Sequence, residues 1–179
     1  MKNIPNIICI IRIILIVPIL ILTLSGNAAY NQLALILFLI AAISDSLDGY
    51  IARRYNLVTN LGKLLDPLAD KLLVLSIFIA FLTKNQLSIV FILIILAREL
   101  TITGLRSMAA AEGVVIQASI FGKLKTITQM ILIFLLYLKN ITNINMVNTS
   151  ITVFVAVVSI LTIFSGIDYI YKSKEIFKH

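Results

Sequence analysis

The sequence predicts an all-α integral membrane protein with six transmembrane helices, folded as a single domain over residues 1–179. Hydrophobic residues make up 60% of the chain. They fall into six runs, each near the roughly 20 residues that a helix needs to cross a bilayer. Polar or turn-forming residues separate the runs. The runs cover approximately residues 7–24, 32–55, 63–83, 87–111, 119–138 and 151–171.

The residues at the breaks support these boundaries. Gly26 lies between the first two runs, and Gly113 is expected to be the left-handed residue that ends the fourth helix. Pro5 is suited to the start of the first helix, and Pro67 is expected about one turn into the third, where its missing N–H costs least. No small-residue cleavage site follows the first run, which is therefore interpreted as a retained helix.

The distribution of Lys and Arg predicts the orientation. With six spans, both termini lie on one side, and all 15 Lys and Arg except Lys84 and Lys139 fall on that side. Cytoplasmic loops carry the excess of positive charge in membrane proteins. Both termini are therefore expected in the cytoplasm of a multi-pass cell-membrane protein, with the end of helix two and the start of helix three facing the same side.

The net charge of +7 does not indicate nucleic-acid binding, because no aromatic-basic stacking pattern accompanies it. It indicates contact with anionic lipid headgroups and phosphorylated substrates. Cys9 is the only cysteine, so no disulfide can form within the chain.

A cluster of acids is the strongest functional signal. Four of the eight acidic residues, Asp45, Asp48, Asp66 and Asp70, lie within 26 positions of an otherwise apolar chain. On a helix, Asp45 and Asp48 share a face, and so do Asp66 and Asp70. Buried carboxylates need compensating cations, and hard divalent metals favour oxygen ligands. The pattern predicts a cytoplasm-facing site for two divalent ions beside a phosphate.

Small residues and one arginine accompany the acids. Gly49, Ala52 and Gly62 keep the helix surface low, so that a ligand can approach the backbone, and Arg53 offers a fork of donors suited to phosphate. Arg12, inside the first run, has two readings. It either extends toward the lipid headgroups or serves the active site.

Four cations in helices four and five are candidates for holding a soluble anionic substrate: Arg98, Arg106, Lys123 and Lys125. The alternative is ordinary charge flanking the membrane or, for Arg98 beside Glu99, a structural ion pair. Lys123 and Lys125 point about 200° apart on a helix, which favours only one of them facing inward.

The spacing Asp45-x2-Asp48-Gly49-x2-Ala52-Arg53-x8-Gly62-x3-Asp66-x3-Asp70 resembles the signature of the CDP-alcohol phosphatidyltransferases. Ile4-Pro5-Asn6, Ala97-Arg98-Glu99, Thr103-Gly104-Leu105-Arg106, Gly122-Lys123-Leu124-Lys125-Thr126 and the closing Ser165-Gly166 segment are similar to bacterial phosphatidylglycerophosphate synthases. Cys9 stands where those enzymes usually have Thr.

The resemblance implies transfer of the phosphatidyl group of CDP-diacylglycerol to sn-glycerol 3-phosphate, with two Mg²⁺ or Mn²⁺ ions and a homodimeric enzyme among membrane lipids. It implies the following roles: Asp45, Asp48, Asp66 and Asp70 as metal ligands; Asp70 also as general base; Asn6, Gly49, Ala52, Arg53 and Gly62 at CDP-diacylglycerol; Arg98, Arg106, Lys123 and Lys125 at glycerol phosphate. Alternative acceptors are serine, inositol phosphate and phosphatidylglycerol. A small ion-coupled transporter is an alternative from another class, although it predicts inverted repeats, and none is evident.

Overall fold

The computed structural model describes residues 4–54, 60–113, 119–142 and 145–174, and this part of the chain forms six α-helices. They are α1 (Ile4–Leu24), α2 (Ala28–Arg54), α3 (Asn60–Thr83), α4 (Ile89–Ala111), α5 (Ile120–Thr142) and α6 (Asn145–Lys174). Within them, the side chains at 4–6, 45–54, 60–66, 111, 145–146 and 174 lie outside the described part.

The six apolar runs are confirmed as helices, and five of the helices extend a few residues beyond the predicted runs. α6 begins at Asn145, six residues before the predicted start, because its polar first turns extend a helix whose apolar run begins later. Pro67 was expected about one turn into helix three and lies at the eighth position of α3, because that helix already begins at Asn60. The prediction for Pro67 is therefore wrong, and its ring removes a backbone hydrogen bond inside the helix.

Within the residues that the structure describes, three helices are long and apolar enough to cross a membrane by length and composition: Ile7–Leu24, Ile120–Thr142 and Val147–Ser173. Isoleucines cover the outward faces of two of them, with Ile14 63% exposed on α1 and Ile167 61% exposed on α6. Exposed apolar surface of this extent is typical of helices that contact lipid rather than water. The chain is an all-helical membrane protein.

Glycines mark where two of the helices end, and side-chain hydrogen bonds cap the start of two others. Gly26, after α1, and Gly113, after α4, both have a φ of +76°, so the prediction for Gly113 is confirmed. Asn27 Oδ1 accepts a hydrogen bond from the Ala29 amide at 2.9 Å and so satisfies a free donor at the start of α2. Ser88 Oγ does the same at the start of α4, accepting from the Phe91 amide at 3.2 Å.

The first of two compact units contains Met1–Gln86 and Tyr137–Asn143. Within it α1 packs against α2 and α3, and α2 also contacts α3. Phe38, Phe81 and Tyr137 form an aromatic core, with the Phe81 and Tyr137 ring centroids 5.0 Å apart. Tyr137 and Thr23 share a hydrogen bond of 2.8 Å between their hydroxyl groups. The buried polar groups of this core therefore satisfy one another.

A polar cluster closes one end of the first unit. Lys84 Nζ donates to the carbonyl oxygen of Thr23 at 3.0 Å and lies 3.5 Å from Oδ1 of Asn31. The amides of Gln86 and Asn140 exchange two hydrogen bonds, of 2.8 and 2.9 Å. These contacts join the carboxyl ends of α1 and α3 to the start of α2 and the end of α5.

The second unit contains Leu87–Leu136 and Ile144–His179. Within it α4 packs against α6, and α5 reaches α4 through an ion pair described below. Ile95, Ile102 and Val158 are among its buried apolar side chains. The same interior also contains Glu99, Lys125 and Ser165, which is unusual for a membrane-spanning unit and directs attention to them.

Candidate active site

The acid motif occupies two helices that contact each other in the first unit. Asp45, Asp48, Gly49, Ala52 and Arg53 are positions of α2, which is unbroken through Arg54. Gly62, Asp66 and Asp70 are positions of α3, which already begins at Asn60. The helical spacing assumed for both halves of the motif is therefore present in the backbone. Except for Asp70, the side chains of these residues and of Asn6 lie outside the described part.

Asp70 is the member of the acid motif whose side chain the structure describes. It is half-buried and follows Ala69, which is fully buried against the interior of the first unit. A half-buried carboxylate can reach both a ligand and the protein interior. The donor set of four carboxylates on two contacting helices fits hard divalent ions, which select oxygen ligands.

A buried ion cluster lies in the second unit. Glu99 Oε1 accepts hydrogen bonds from Arg98 Nη1 at 2.9 Å and from Lys125 Nζ. Glu99 and Lys125 are 7% and 5% exposed, so their charges are removed from solvent. Glu99 thus holds two cations close together in this interior, both in contact with one carboxylate oxygen.

Arg98 is held in place on several sides. Its Nε donates to Ser165 Oγ on α6 at 3.1 Å, and Nη1 donates to Glu99. A Cβ built on Gly122 would lie 3.4 Å from Nη2 of Arg98, and one built on Gly166 would lie 3.4 Å from its Cγ. Because both neighbours are glycines, the arginine can lie close to the backbones of α5 and α6.

A groove of about 310 Å³ between α4 and α6 borders the same arginine. Its walls are largely apolar and include Ile94, Ile102, Ile163 and Ile167, while Arg98 is the charged group of the lining. The guanidinium is thus surrounded by hydrocarbon on one side and by Glu99 and Ser165 on the other. This arrangement explains why its hydrogen bonds are made to protein groups.

Unlike Arg98 and Lys125, the cations Arg106 and Lys123 are exposed. Arg106 Nε donates to the hydroxyl of Tyr169 at 2.8 Å, and its guanidinium carbon lies 5.4 Å from the centre of that ring. Tyr169 is only 3% exposed, so it forms a fixed support for the arginine. Arg106 and Lys123 are therefore accessible cations of the second unit, and Arg106 is oriented by a buried phenol.

The structure distinguishes residues that the sequence pattern grouped together. Of the two lysines expected to point apart, Lys125 faces the interior and Lys123 faces outward. The ion pair considered for Arg98 and Glu99 is present. Sequence reasoning did not identify Ser165 or Tyr169 as supports for arginines, since a serine and a tyrosine in an apolar helix give no signal until their partners on α4 are known.

Arg12 is also located by the structure. It is 1% exposed, so it does not extend outward to the headgroups, and the first of its two readings is wrong. The helix face that it shares with Cys9, Ile16, Ile19 and Thr23 is the buried face of α1. An arginine inside a membrane helix and wholly inside the protein is a signal of function.

Comparison with known proteins places this chain among lipid-synthesising enzymes. The family model described as CDP-alcohol phosphatidyltransferase matches residues 2–164. A CDP-diacylglycerol–glycerol-3-phosphate 3-phosphatidyltransferase of Rickettsia typhi is 46% identical over 130 residues, which cover 73% of each chain. The protein of the same name from Bacillus subtilis is 37% identical over 191 residues, covering 99% of this chain and 98% of its own.

A more distant relative extends the comparison. A probable phosphatidylglycerophosphate synthase of Mycobacterium tuberculosis is 34% identical over 175 residues, covering 96% of this chain and 81% of its own. The acid motif on α2 and α3 lies within the region that the family model matches. From this match and from the identities over most of its length, the chain belongs to the CDP-alcohol phosphatidyltransferase family.

Proposed function

We propose that this chain transfers the phosphatidyl group of CDP-diacylglycerol to sn-glycerol 3-phosphate, giving phosphatidylglycerol phosphate and CMP. The names of the Rickettsia typhi and Bacillus subtilis relatives support this reaction. The structural observation that carries the proposal is the continuity of α2 through Arg54 and of α3 from Asn60. It puts each half of the acid motif on a regular helix, as a shared carboxylate site requires.

The proposed cofactor is a pair of Mg²⁺ or Mn²⁺ ions held by Asp45, Asp48, Asp66 and Asp70. When bound, two such ions stabilise the attacking and the leaving oxygens of a displacement at phosphorus. The chemistry of the donor set supports the proposal, because four carboxylates in an apolar chain are costly without cations. The chain contributes the ligands and the helix frame that fixes their spacing.

The donor lipid is proposed to bind along the same two helices. Gly49, Ala52 and Gly62 leave room for the cytidine diphosphate near the backbone, and Arg53 pairs with its phosphates. Asn6, at the start of α1, completes the set that the family motif assigns to CDP-diacylglycerol. The diacyl chains remain in the bilayer, because moving them into water is unfavourable.

Asp70 is proposed to act as the general base. It takes the proton from the acceptor hydroxyl, whose oxygen attacks the phosphorus on the diacylglycerol side, and CMP leaves with the bonding electron pair. Its half-buried side chain supports this role, since a base must reach substrate while its surroundings fix its direction.

The acceptor is proposed to bind the cations of the second unit. Arg106 and Lys123 are exposed and can contact the phosphate of glycerol phosphate directly. Arg98 and Lys125 are bound to Glu99, so they contribute positive charge from within the unit. A dianionic acceptor suits this set better than the neutral alternatives do.

The proposed location is the cell membrane, with six spans, both termini and the active site at the cytoplasm, and a homodimeric assembly. The asymmetry of Lys and Arg supports the orientation. A cysteine introduced at Asn27 is expected to react with an impermeant thiol reagent added outside cells, and one at Asn60 is not. The reverse labelling pattern would invert the topology.

A radiolabel assay tests the reaction. Purified protein in detergent is given CDP-diacylglycerol with glycerol phosphate, serine, inositol phosphate or phosphatidylglycerol in parallel. Labelled lipid is expected with glycerol phosphate, its formation is expected to stop in EDTA, and Mg²⁺ or Mn²⁺ is expected to restore it. Preference for another acceptor would overturn the substrate, and full turnover in chelator would overturn the metal site.

The role of Asp70 has its own test. Asp70→Asn keeps the shape of the side chain but cannot accept a proton, so turnover should fall by about 10²–10⁴ while CDP-diacylglycerol still binds. Asp45→Asn and Asp66→Asn serve as matched variants, because raising Mn²⁺ should restore part of their activity. If Asp70→Asn is restored as readily, Asp70 is a ligand and not the base.

A further inference from the structure

Gln129 on α5 carries a buried amide group that the reaction described above does not use. The residue is 2% exposed, and its Nε2 atom makes no hydrogen bond within the part of the chain that the structure describes. A buried donor without a partner destabilises a protein, so one that persists in a native structure calls for an explanation in function. The N–H group of Gln129 is therefore a candidate donor to a bound molecule.

The place of Gln129 on α5 indicates where that molecule binds. Gln129 follows Lys125 by one helical turn, about 6 Å, and both lie on the buried face of the helix. Lys125 donates to Glu99 on α4. The next residues of this face, Leu132 and Leu136, are apolar and fully buried. Gln129 thus lies at the inner end of a polar stretch that begins at Lys125.

This stretch of α5 also carries cations proposed to hold the acceptor, Lys123 and Lys125. Charge-assisted hydrogen bonds from cations hold a phosphate more strongly than a neutral amide can. The amide N–H of Gln129 suits an uncharged oxygen such as a hydroxyl, and the amide carbonyl can accept the hydroxyl proton in return. Gln129 therefore adds to the cations a group that fits the alcohol part of the acceptor.

The two hydroxyl groups of glycerol phosphate have different chemistry. The primary hydroxyl gives its proton to the base and an electron pair of its oxygen to the new bond with phosphorus. An N–H donor at that oxygen would hold the electron pair back and slow the attack. The secondary hydroxyl does not react and can keep one hydrogen-bond partner throughout. It is the group that an amide donor can bind without cost to the reaction.

We propose that Gln129 is a specificity-determining residue for the acceptor, and that its amide N–H donates to the secondary hydroxyl oxygen. This rests on the proposed function, because glycerol phosphate is taken as the acceptor. The enzyme is then expected to favour glycerol phosphate over 3-hydroxypropyl phosphate, which has the same phosphate and primary hydroxyl but no secondary hydroxyl. A site that donates to a substrate hydroxyl rejects an analogue without it, because the buried donor is left unpaired.

Gln129→Met tests the proposal with both acceptors. Met keeps the length of the side chain and offers no N–H. Its kcat/KM for glycerol phosphate is expected to fall about two- to tenfold, the effect of one hydrogen bond, while 3-hydroxypropyl phosphate is used at least as well as by the wild type. The preference for glycerol phosphate should fall by the same factor, and the KM for CDP-diacylglycerol should not change. An unchanged preference would overturn the proposal.

Thermal unfolding separates a ligand contact from a contact inside the protein. Replacing an unsatisfied buried donor by an apolar group of similar shape is nearly neutral or stabilising, so the melting temperature of Gln129→Met should equal or exceed that of the wild type. A lower melting temperature together with an unchanged preference would assign the amide to the protein interior and overturn the proposal.

Thr128→Val is the matched control. Thr128 precedes Gln129, and its hydroxyl donates to the carbonyl oxygens of Leu124 at 3.0 Å and Lys125 at 2.9 Å. Because this hydroxyl is already bonded to the backbone of its own helix, the preference between the two acceptors should remain that of the wild type. An equal loss of preference in Thr128→Val would show a general disturbance of α5 and would also overturn the proposal.

The wild type distinguishes failure of this proposal from failure of the proposed function. If it forms no lipid product from CDP-diacylglycerol with either acceptor, the proposed function fails, and the role of Gln129 fails with it. If it uses both acceptors equally, or if Gln129→Met keeps the wild-type preference, the reaction stands and only the role of Gln129 fails.

Discussion

Two pairs of cations in the second unit have equal charge and opposite surroundings. Arg98 and Lys125 lie in the interior and share the carboxylate of Glu99, whereas Arg106 and Lys123 are exposed. Lys123 and Lys125 are only two residues apart on α5. The comparison teaches that the role of a cation in a membrane helix depends on what it faces. A buried cation pairs with a buried carboxylate, and an exposed one remains available to a soluble anion.

Removing the shared carboxylate should have the largest effect. Glu99→Ala removes the carboxylate that Arg98 and Lys125 share, and breaking a buried ion pair in this way costs about 3–5 kcal/mol. Chemical unfolding in detergent measures the loss of stability. Glu112→Ala is the control, since this acid is exposed at the end of the same helix. A Glu99→Ala protein as stable as the control would show that the cluster does not stabilise the interior.

Substitution of the exposed cations Arg106 and Lys123 should weaken substrate binding and leave stability unchanged. Arg106→Ala and Lys123→Ala each remove a charge-assisted contact, worth about 1.5–3 kcal/mol, so the KM for glycerol phosphate should rise roughly ten- to a hundredfold. The KM for CDP-diacylglycerol and the melting temperature should change little. A normal acceptor KM in both variants would reduce these cations to charges that only set the topology.

The support beneath Arg106 should have a smaller effect in the same direction. Tyr169→Phe removes the hydroxyl that accepts from Arg106 Nε at 2.8 Å but keeps the ring. Loss of one hydrogen bond of about 0.5–1.5 kcal/mol corresponds to a KM for glycerol phosphate raised about two- to tenfold. In an Arg106→Ala background the same substitution should have no further effect. An equal effect in both backgrounds would mean that Tyr169 acts independently of Arg106.

A surface ion pair gives the smallest expected change. Lys172 pairs with Asp168 at 2.9 Å, one turn away on α6, and its side chain is 63% exposed. Lys172→Ala should cost no more than about 0.5 kcal/mol in unfolding and leave both KM values unchanged. A large rise in the KM for glycerol phosphate would extend the acceptor-binding set to a third exposed cation.

The sequence predicted the helices because a membrane requires long apolar runs, and glycines such as Gly113 mark where they stop. It also predicted that Lys123 and Lys125 point in different directions. It did not predict which of them is buried, because that depends on Glu99 of another helix. The hydrogen-bonded amide pair of Gln86 and Asn140 could not be predicted either, because its members are 54 residues apart in the sequence.

The sequence predicted the acid motif of the candidate site but not the burial of Arg12. Fixed spacing made the acid motif recognisable, and the helices beneath it have the expected continuity. The reading of Arg12 depended on burial, which sequence position alone does not determine. An arginine in an apolar run can face lipid, water or protein, and only the packing of α1 against α2 and α3 decides among them.

Cys9 gives the first unit a built-in chemical reporter. Its thiol is the only one in the chain and is fully buried, one turn before Arg12 on the same face of α1. A thiol reagent can reach it only when α1 separates from its neighbours, so the rate of modification measures how often that helix opens. Any cysteine added at an exposed position would react much sooner. One native sulfur atom can thus time the opening of the helix that contains the buried arginine.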